Sequence, residues 1–109
     1  MPKYLAKAKY TAPEGVKGLL ADGGSVRVKA VTDLIESVGG KLESFYFAFG
    51  ETDAYIVLEV PDATTGAALS LIVGASGLAT VEVVQLLTPA ELDEAVKKSP
   101  RYDAPGPNA

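Results

Sequence analysis

The chain has 109 residues, no Cys, no His and no Trp, and a formal net charge of −4. Without Cys and His it cannot form a disulfide, a thiolate nucleophile, a Cys/His zinc site or a Ser-His-Asp triad. Apolar residues make up 48% of the chain, which is enough for one core, and the acidity argues against general binding to nucleic acid or anionic membranes.

The N-terminal residues lack the long apolar run and small-residue cleavage site of a secretory signal peptide. The most apolar segment, residues 67–75, has about half of the roughly 20 residues that a membrane-spanning helix needs. We therefore expect a cytoplasmic protein that has no membrane partner and no nucleic-acid partner.

The chain begins with a predicted strand and a short helix. Polar and apolar side chains alternate over residues 3–10, which is the period of a strand with one wet face. Thr11 and Glu14 then have the spacing of a capping box, with a proline between them in the first turn. This pattern predicts a helix that continues to Leu20.

A second helix is predicted directly after the first. The glycines at 23 and 24 interrupt the first helix, and Ser25 is placed to cap the next one. Apolar residues then recur at helical spacing from Val28 to Val38. The glycines at 39 and 40 end this helix, because glycine accepts the left-handed conformation that closes a helix.

A hairpin is predicted next, with strands at residues 41–49 and 54–60 and a turn at 50–53. Strict alternation in its first strand puts the three phenylalanines on one face, and the residues alone leave open which face this is. The opposite face of that strand carries Leu42, Ser44, Tyr46 and Ala48.

The remaining elements are a helix, a strand and a terminal helix. Asp62 is placed to cap a helix over residues 63–75, and Gly77 is its predicted stop. Residues 80–87 read as the fourth strand, and a second capping box, Thr88 with Glu91, begins a terminal helix that extends to about residue 98. Residues 99–109 are predicted to be a flexible, proline-rich tail.

The order β-α-β-β-α-β followed by a final helix predicts an α+β fold of the ferredoxin-like type. Right-handed crossovers place strands one and three at the centre of a four-stranded antiparallel sheet. Both long helices then cover one face of the sheet, and the other face is left open. We expect one domain, residues 1–98, and the tail.

Five segments of the chain are distinctive: PKY (2–4), YTAPEG (10–15), GGKLE (39–43), FAFG (47–50) with Asp53, and PD (61–62). They resemble the GYD family of small bacterial proteins, and the similarity extends to about Tyr102. The namesake Gly-Tyr-Asp corresponds here to Gly50 and Asp53 with two residues between them. The resemblance implies a ferredoxin-like domain and a homo-oligomer of the dimeric α+β-barrel type, and it implies little about chemistry.

The open sheet face is the main candidate for function, because its predicted side chains mix aromatic and aliphatic residues with Lys and Glu. Packing against a second copy explains such a face, and a small-molecule pocket in that interface is the alternative. Lys7 and Glu59, on adjacent strands, are expected to be able to pair. The candidate ligand-binding residues are Lys7, Tyr46, Asp53, Tyr55 and Glu59.

Two loops provide weaker candidates. In the hairpin turn, Asp53 can bond nearby backbone amides, or it can stand with Glu51 at the rim of a cleft. The glycine pair before the second helix can expose amides to an anion, which makes Gly24, Ser25 and Arg27 a candidate anion site, although a plain helix break also explains it. No metal site and no cofactor is predicted.

The helix at residues 63–75 needs a cover, because no charged residue lies between Asp62 and Glu82. Its small residues would allow another element to approach closely. The terminal helix of the same subunit and a neighbouring subunit are equally good candidates for that element.

Three functions remain open. The first is a homo-oligomeric, non-enzymatic module that binds a small molecule or regulates through its open face. The second is a cofactor-independent isomerase or monooxygenase with its site at Tyr55 and Glu59, since a buried carboxylate can act as an acid or base without His. The third is a structural assembly subunit without a ligand.

Overall fold

The computed structural model describes residues 1–107, and the last two residues of the predicted tail, 108 and 109, lie outside this range. Residues 99–107 contain no helix or strand. In chain order the elements are β1 (Lys3–Tyr10), α1 (Glu14–Asp22), α2 (Gly24–Ser37), β2 (Lys41–Phe47), β3 (Ala54–Glu59), α3 (Ala63–Ala75), β4 (Ala79–Leu86) and α4 (Pro89–Val96).

The four strands form one antiparallel sheet in the order β2-β3-β1-β4. This order confirms the predicted ferredoxin-like arrangement, with β1 and β3 at the centre and β2 and β4 at the edges. In the helix layer, α2 packs against β2 and α3 packs against β4. The two long helices therefore lie over opposite edges of the same face of the sheet.

The core lies between this helix layer and the sheet. Alternate residues of β1 and β3 are buried because successive side chains of a strand point to opposite faces. One apolar residue from each long helix packs on them. The buried cluster comprises Tyr4, Ala6, Ile35, Ile56, Leu58, Val60 and Leu69.

The predicted alternation in β2 is wrong at its start, because the strand contains a bulge. Leu42 lies opposite Leu58, whereas Ser44 lies opposite Val57, so two residues of β2 span one step of β3. A bulge shifts every later side chain to the other face. Leu42 therefore belongs to the helix side, not to the open face with Ser44.

The phenylalanines of β2 pack under the helices. Phe45 lies opposite the buried Ile56, and the ring centroids of Phe45 and Phe47 are 4.9 Å apart. Phe49 does not continue this face as predicted: β2 ends at Phe47, and Phe49 is fully exposed in the turn. The turn closes with a hydrogen bond from the Ala48 N–H to the Asp53 carbonyl.

The first predicted capping box is absent. Thr11 does not cap α1; its hydroxyl donates to the Gly77 carbonyl at 2.8 Å, and its N–H donates to the Leu78 carbonyl at 3.0 Å. Pro13 is the N-cap of α1 and provides no side-chain cap. The hydrogen bonds of Thr11 to the α3–β4 loop have replaced the local bond that the spacing predicted.

The cap predicted at Ser25 is also absent. The second helix begins two residues earlier than that cap predicts, at Gly24, with Gly23 as an N-cap that has no side chain. Gly23 has φ +79°, a left-handed conformation that suits glycine. The stop at Gly39 is confirmed, with the same φ of +79°.

The other predicted caps are present. Asp62 accepts a hydrogen bond from the Thr65 N–H at 2.8 Å, and Thr88 and Glu91 form a complete capping box. Hydrogen bonds from the Thr65 hydroxyl and N–H hold the pKa of Asp62 below its usual 3.8. The Thr88 backbone N–H, which donates to the Glu91 carboxylate, likewise holds the pKa of Glu91 below its usual 4.5.

The terminal helix α4 lies apart from the core. It has no buried residue, and Leu92 and Val96 on its apolar side are more than half exposed. The radius of gyration is 17.5 Å, against about 13 Å for a compact domain of this size. The terminal helix α4, one of the two covers considered for α3, therefore does not cover it. Leu71 and Ile72 of α3 stay exposed.

We expect Gly15→Ala to lower the free energy of unfolding by about 1–3 kcal/mol, the usual range for overpacking. A Cβ at Gly15 would lie 2.0 Å from the Leu78 carbonyl oxygen. Gly18→Ala in the same helix is the matched control, because its Cβ would meet nothing within 4 Å. This variant should raise the free energy of unfolding by about 0.5–1 kcal/mol, since alanine has the higher helix propensity. Urea unfolding measures the free energy of unfolding of both variants. Equal changes in the two variants would contradict the close contact at Gly15.

The cap at Asp62 predicts an acid-sensitive part of the stability. Because folding lowers this pKa, the ionised cap stabilises the fold above pH 3.8, and that contribution is lost as the pH falls through the lower, folded pKa. Asp62→Ala should lower the melting temperature at pH 7 and have less effect at pH 2. Asp62→Asn, which keeps an N-cap acceptor without a charge, is the control. A melting-temperature difference between wild type and Asp62→Ala that is the same at both pH values would contradict the assignment.

Candidate functional site

The open sheet face is organised in rows that run across the strands. Residues directly opposite one another share a face, and on β4, β1 and β3 the register puts Val84, Leu5 and Val57 side by side. We call these three residues the apolar row. Val84 is 41% exposed, and the row lies at the middle of the uncovered face.

A polar row lies next to the apolar row. It consists of Glu82, Lys7, Tyr55 and Tyr46, in that order across β4, β1, β3 and β2. The Lys7 Nζ is 3.7 Å from the Glu82 Oε2. The structure thus brings together three of the predicted ligand-binding residues, Lys7, Tyr46 and Tyr55, and adds Glu82, which sequence reasoning did not select.

A depression of about 540 Å³ lies over one end of the polar row. Lys7, Tyr55 and Glu82 form part of its floor, and the turn from Phe49 to Thr52 forms one side. Its lining combines ammonium, carboxylate and hydroxyl groups. Such a set can bind a small polar molecule that carries both hydrogen-bond donors and acceptors.

The pair predicted between Lys7 and Glu59 is wrong. Glu59 lies opposite Lys3, four positions along β3 from Tyr55, which is about 13 Å at the rise of a strand. Lys3 donates instead to Glu43 at 2.9 Å, and this hydrogen bond raises the pKa of Lys3. Glu59 therefore lies in a different row of the sheet from Lys7 and Tyr55.

Asp53 holds the hairpin turn against β1. Its Oδ2 accepts the Tyr10 N–H at 2.9 Å, its Oδ1 lies 3.5 Å from the Lys9 Nζ, and its own N–H donates to the Ala8 carbonyl. This is the structural role that a turn aspartate can have. Glu51, by contrast, lines the polar depression. Within residues 1–107, no three acidic, His or Cys side chains cluster as metal ligands would.

The three predicted anion-binding residues do not form one site. The backbone of Gly24 packs on Phe47, whose ring would lie 3.1 Å from a Cβ at this position, and Ser25 is exposed. Arg27 pairs with Asp22, with 3.4 Å between its Nη1 and the Asp22 Oδ2. Arg27 lines a cavity that does not include Gly24 or Ser25 in its walls.

This cavity lies on the helix side of the sheet and was not predicted. It has a volume of about 140 Å³ and lies between α2, α3 and the sheet. The buried faces of β1 and β3 form its floor, and its walls are almost entirely apolar. Its residues carry the periodic pattern of an ordinary core, so the sequence offers no signal that distinguishes a lined cavity from a filled one.

The residues that the structure describes include no helix long and apolar enough to cross a membrane.

The chain was compared with known proteins and families. No curated protein and no solved structure matches it significantly. A family model described as the GYD domain matches residues 4–96, from β1 through α4. This match covers most of the chain and all of its secondary structure except the first residue of β1, and it confirms the resemblance found in the sequence. The chain belongs to the GYD domain family.

Proposed function

We propose that this protein is a homo-oligomeric, non-enzymatic module that binds a small polar molecule at a contact between two copies of its open sheet face. The observation that carries the proposal is the apolar row beside the polar row. The apolar row supplies surface that a second sheet can cover, and the polar row supplies groups that can hold a ligand within that contact.

The apolar row supports association with a second copy. Exposed apolar surface is stabilised when another surface removes it from water, and two sheets stack well face to face. The charges beside the row occur in both signs, with Lys3 near Glu43 and Lys7 near Glu82. A face of mixed charge can meet a copy of itself without net repulsion, as a two-fold contact requires.

The extended outline of the chain supports the same proposal. The apolar side of α4 and the exposed residues Leu71 and Ile72 of α3 are not covered within one chain. A single copy therefore leaves apolar surface on the sheet, on α3 and on α4. Association with further copies is the simplest way to cover all three.

The enzyme alternative has weaker support. It requires Tyr55 and Glu59 to act on one substrate, and these residues are four positions apart on the same strand, with Val57 between them. General acid-base catalysis needs each group within hydrogen-bond distance of the reacting atoms. A binding function requires a less precise geometry of the polar row, because its hydroxyls and charges need only lie within reach of one ligand.

We expect Val84→Lys to dissociate the assembly. The substitution places an ammonium in the apolar row, twice in a two-fold contact, and should cost about 2 kcal/mol or more of association free energy, hence over tenfold in Kd. Val84 is partly exposed in the single chain, so the variant should still fold. Sedimentation equilibrium measures the Kd.

Leu20→Lys is the matched control for this experiment. Leu20 is an exposed apolar residue of α1, away from the open face, with 80% of its surface exposed. It should leave the sedimentation behaviour unchanged. A wild-type protein that sediments as one chain at micromolar concentration, or a Val84→Lys variant that associates like wild type, would contradict the proposed contact.

The ligand itself is tested with a thermal-shift panel of amino acids, carboxylic acids, sugars and nucleotides. A compound that binds only the folded state raises the melting temperature. We expect at least one compound to do so, and Lys7→Met and Tyr55→Phe to abolish its shift while Leu20→Lys keeps it. An associated protein with no responding compound would favour the structural-subunit alternative.

A further inference from the structure

We infer that the cavity between the helix layer and the sheet binds a small aromatic or branched aliphatic carboxylate, with Arg27 as the residue that binds the carboxylate. The site lies on the opposite face of the sheet from the polar row. It is therefore separate from the proposed small-molecule site and from the proposed subunit contact.

The size of the cavity defines the apolar part of the ligand. The cavity is partly open to solvent and offers about 140 Å³ of apolar space, which is more than the few water-sized voids that a close-packed interior leaves. Apolar cavities of about 150 Å³ stay dry and accept benzene. One six-membered ring, or an aliphatic group of similar volume, would fill this cavity and restore dispersion contacts to its walls.

Arg27 supplies the charge selectivity. Its Nε is buried and has no hydrogen-bond partner among the described residues, although buried polar atoms are nearly always paired. The guanidinium keeps only a long contact of 3.4 Å with Asp22. Nε and a terminal nitrogen of arginine form a fork that matches the two oxygens of a carboxylate. Nε itself is out of contact with solvent, so a rotation of the guanidinium away from the long Asp22 contact would bring it to a bound carboxylate.

The position of Arg27 explains how a ligand could be held at both ends. Arg27 lines the inner cavity and also an outer cleft of about 340 Å³ between α1 and α3. The two spaces share Tyr10, Leu34, Val73 and Ala79 as well. A ligand with its ring in the inner cavity can therefore place its carboxylate at Arg27, at the boundary with the cleft, where partial hydration lowers the cost of burying a charge.

Benzoate is the probe, and benzamide, which has the same ring and no charge, is the control compound. We expect benzoate to raise the melting temperature of the wild-type protein and to shift backbone amide resonances of α2 and α3 at millimolar concentration. Arg27→Met keeps a long apolar stem without the charge. It should weaken benzoate binding about tenfold to a hundredfold, the usual value of a charged hydrogen bond, and leave benzamide binding unchanged.

Two further variants separate the charge from the cavity. Ser70→Leu adds volume to the cavity wall and should weaken binding of benzoate and benzamide alike. Val84→Lys, on the open face, should leave both affinities unchanged even where it dissociates the assembly. The melting temperature of each variant without a probe shows that it is folded.

Three results would overturn the inference. The first is the absence of any response of the folded wild type to either probe, as expected if a segment of a second copy already fills the cavity. The second is equal binding of benzoate to wild type and to folded Arg27→Met. The third is a set of amide shifts confined to the open sheet face, which would assign the probe to the polar row.

Discussion

Successive side chains of a strand point to opposite faces of a sheet, and this chain has only enough helix to cover one of them. The buried face of β1 and β3 carries small and aliphatic residues that pack under α2 and α3. The same strands must present their other side chains outward. The open face follows from the number of helices, and every proposal about assembly follows from the open face.

The helix layer is itself incomplete, because its two long helices cover different strands. With α2 over β2 and α3 over β4, the middle of the layer contains the apolar cavity instead of a packed seam. Small residues contribute to this space: Ala6, Ala8, Ala30, Gly66 and Ser70 all line it. Larger side chains at these positions would fill the cavity. The sequence therefore maintains both an uncovered face and a space beneath the helices.

The sequence predicted the fold closely where local rules decide the structure. The alternation of residues 3–10 defined β1, and the caps at Asp62 and Thr88 defined the starts of α3 and α4. The order of elements was sufficient for the sheet topology, because right-handed crossovers leave few alternatives.

The sequence failed where tertiary contacts override local patterns. Thr11 has the right spacing for a cap, yet its hydroxyl is directed to the α3–β4 loop, where it donates to the Gly77 carbonyl, and does not cap α1. The bulge after Leu42 falls where two successive polar residues, Glu43 and Ser44, interrupt the alternation, and an assumption of strict alternation misses it. Pairing of Lys7 depends on strand register, which places Glu82 and not Glu59 beside it. The cavity at Arg27 is a property of packing, which periodicity does not reveal.

The central claim is that a second copy covers the open face, and hydroxyl-radical footprinting of the tyrosines tests it most directly. In the single chain Tyr46, at the end of the polar row, is 71% exposed, and Tyr102, in the C-terminal segment, is 80% exposed. If the face is covered, Tyr46 should be oxidised much more slowly than Tyr102 at micromolar concentration, and dilution should remove the difference. Equal oxidation rates at every concentration would show that the open face stays in contact with water, and would contradict the account.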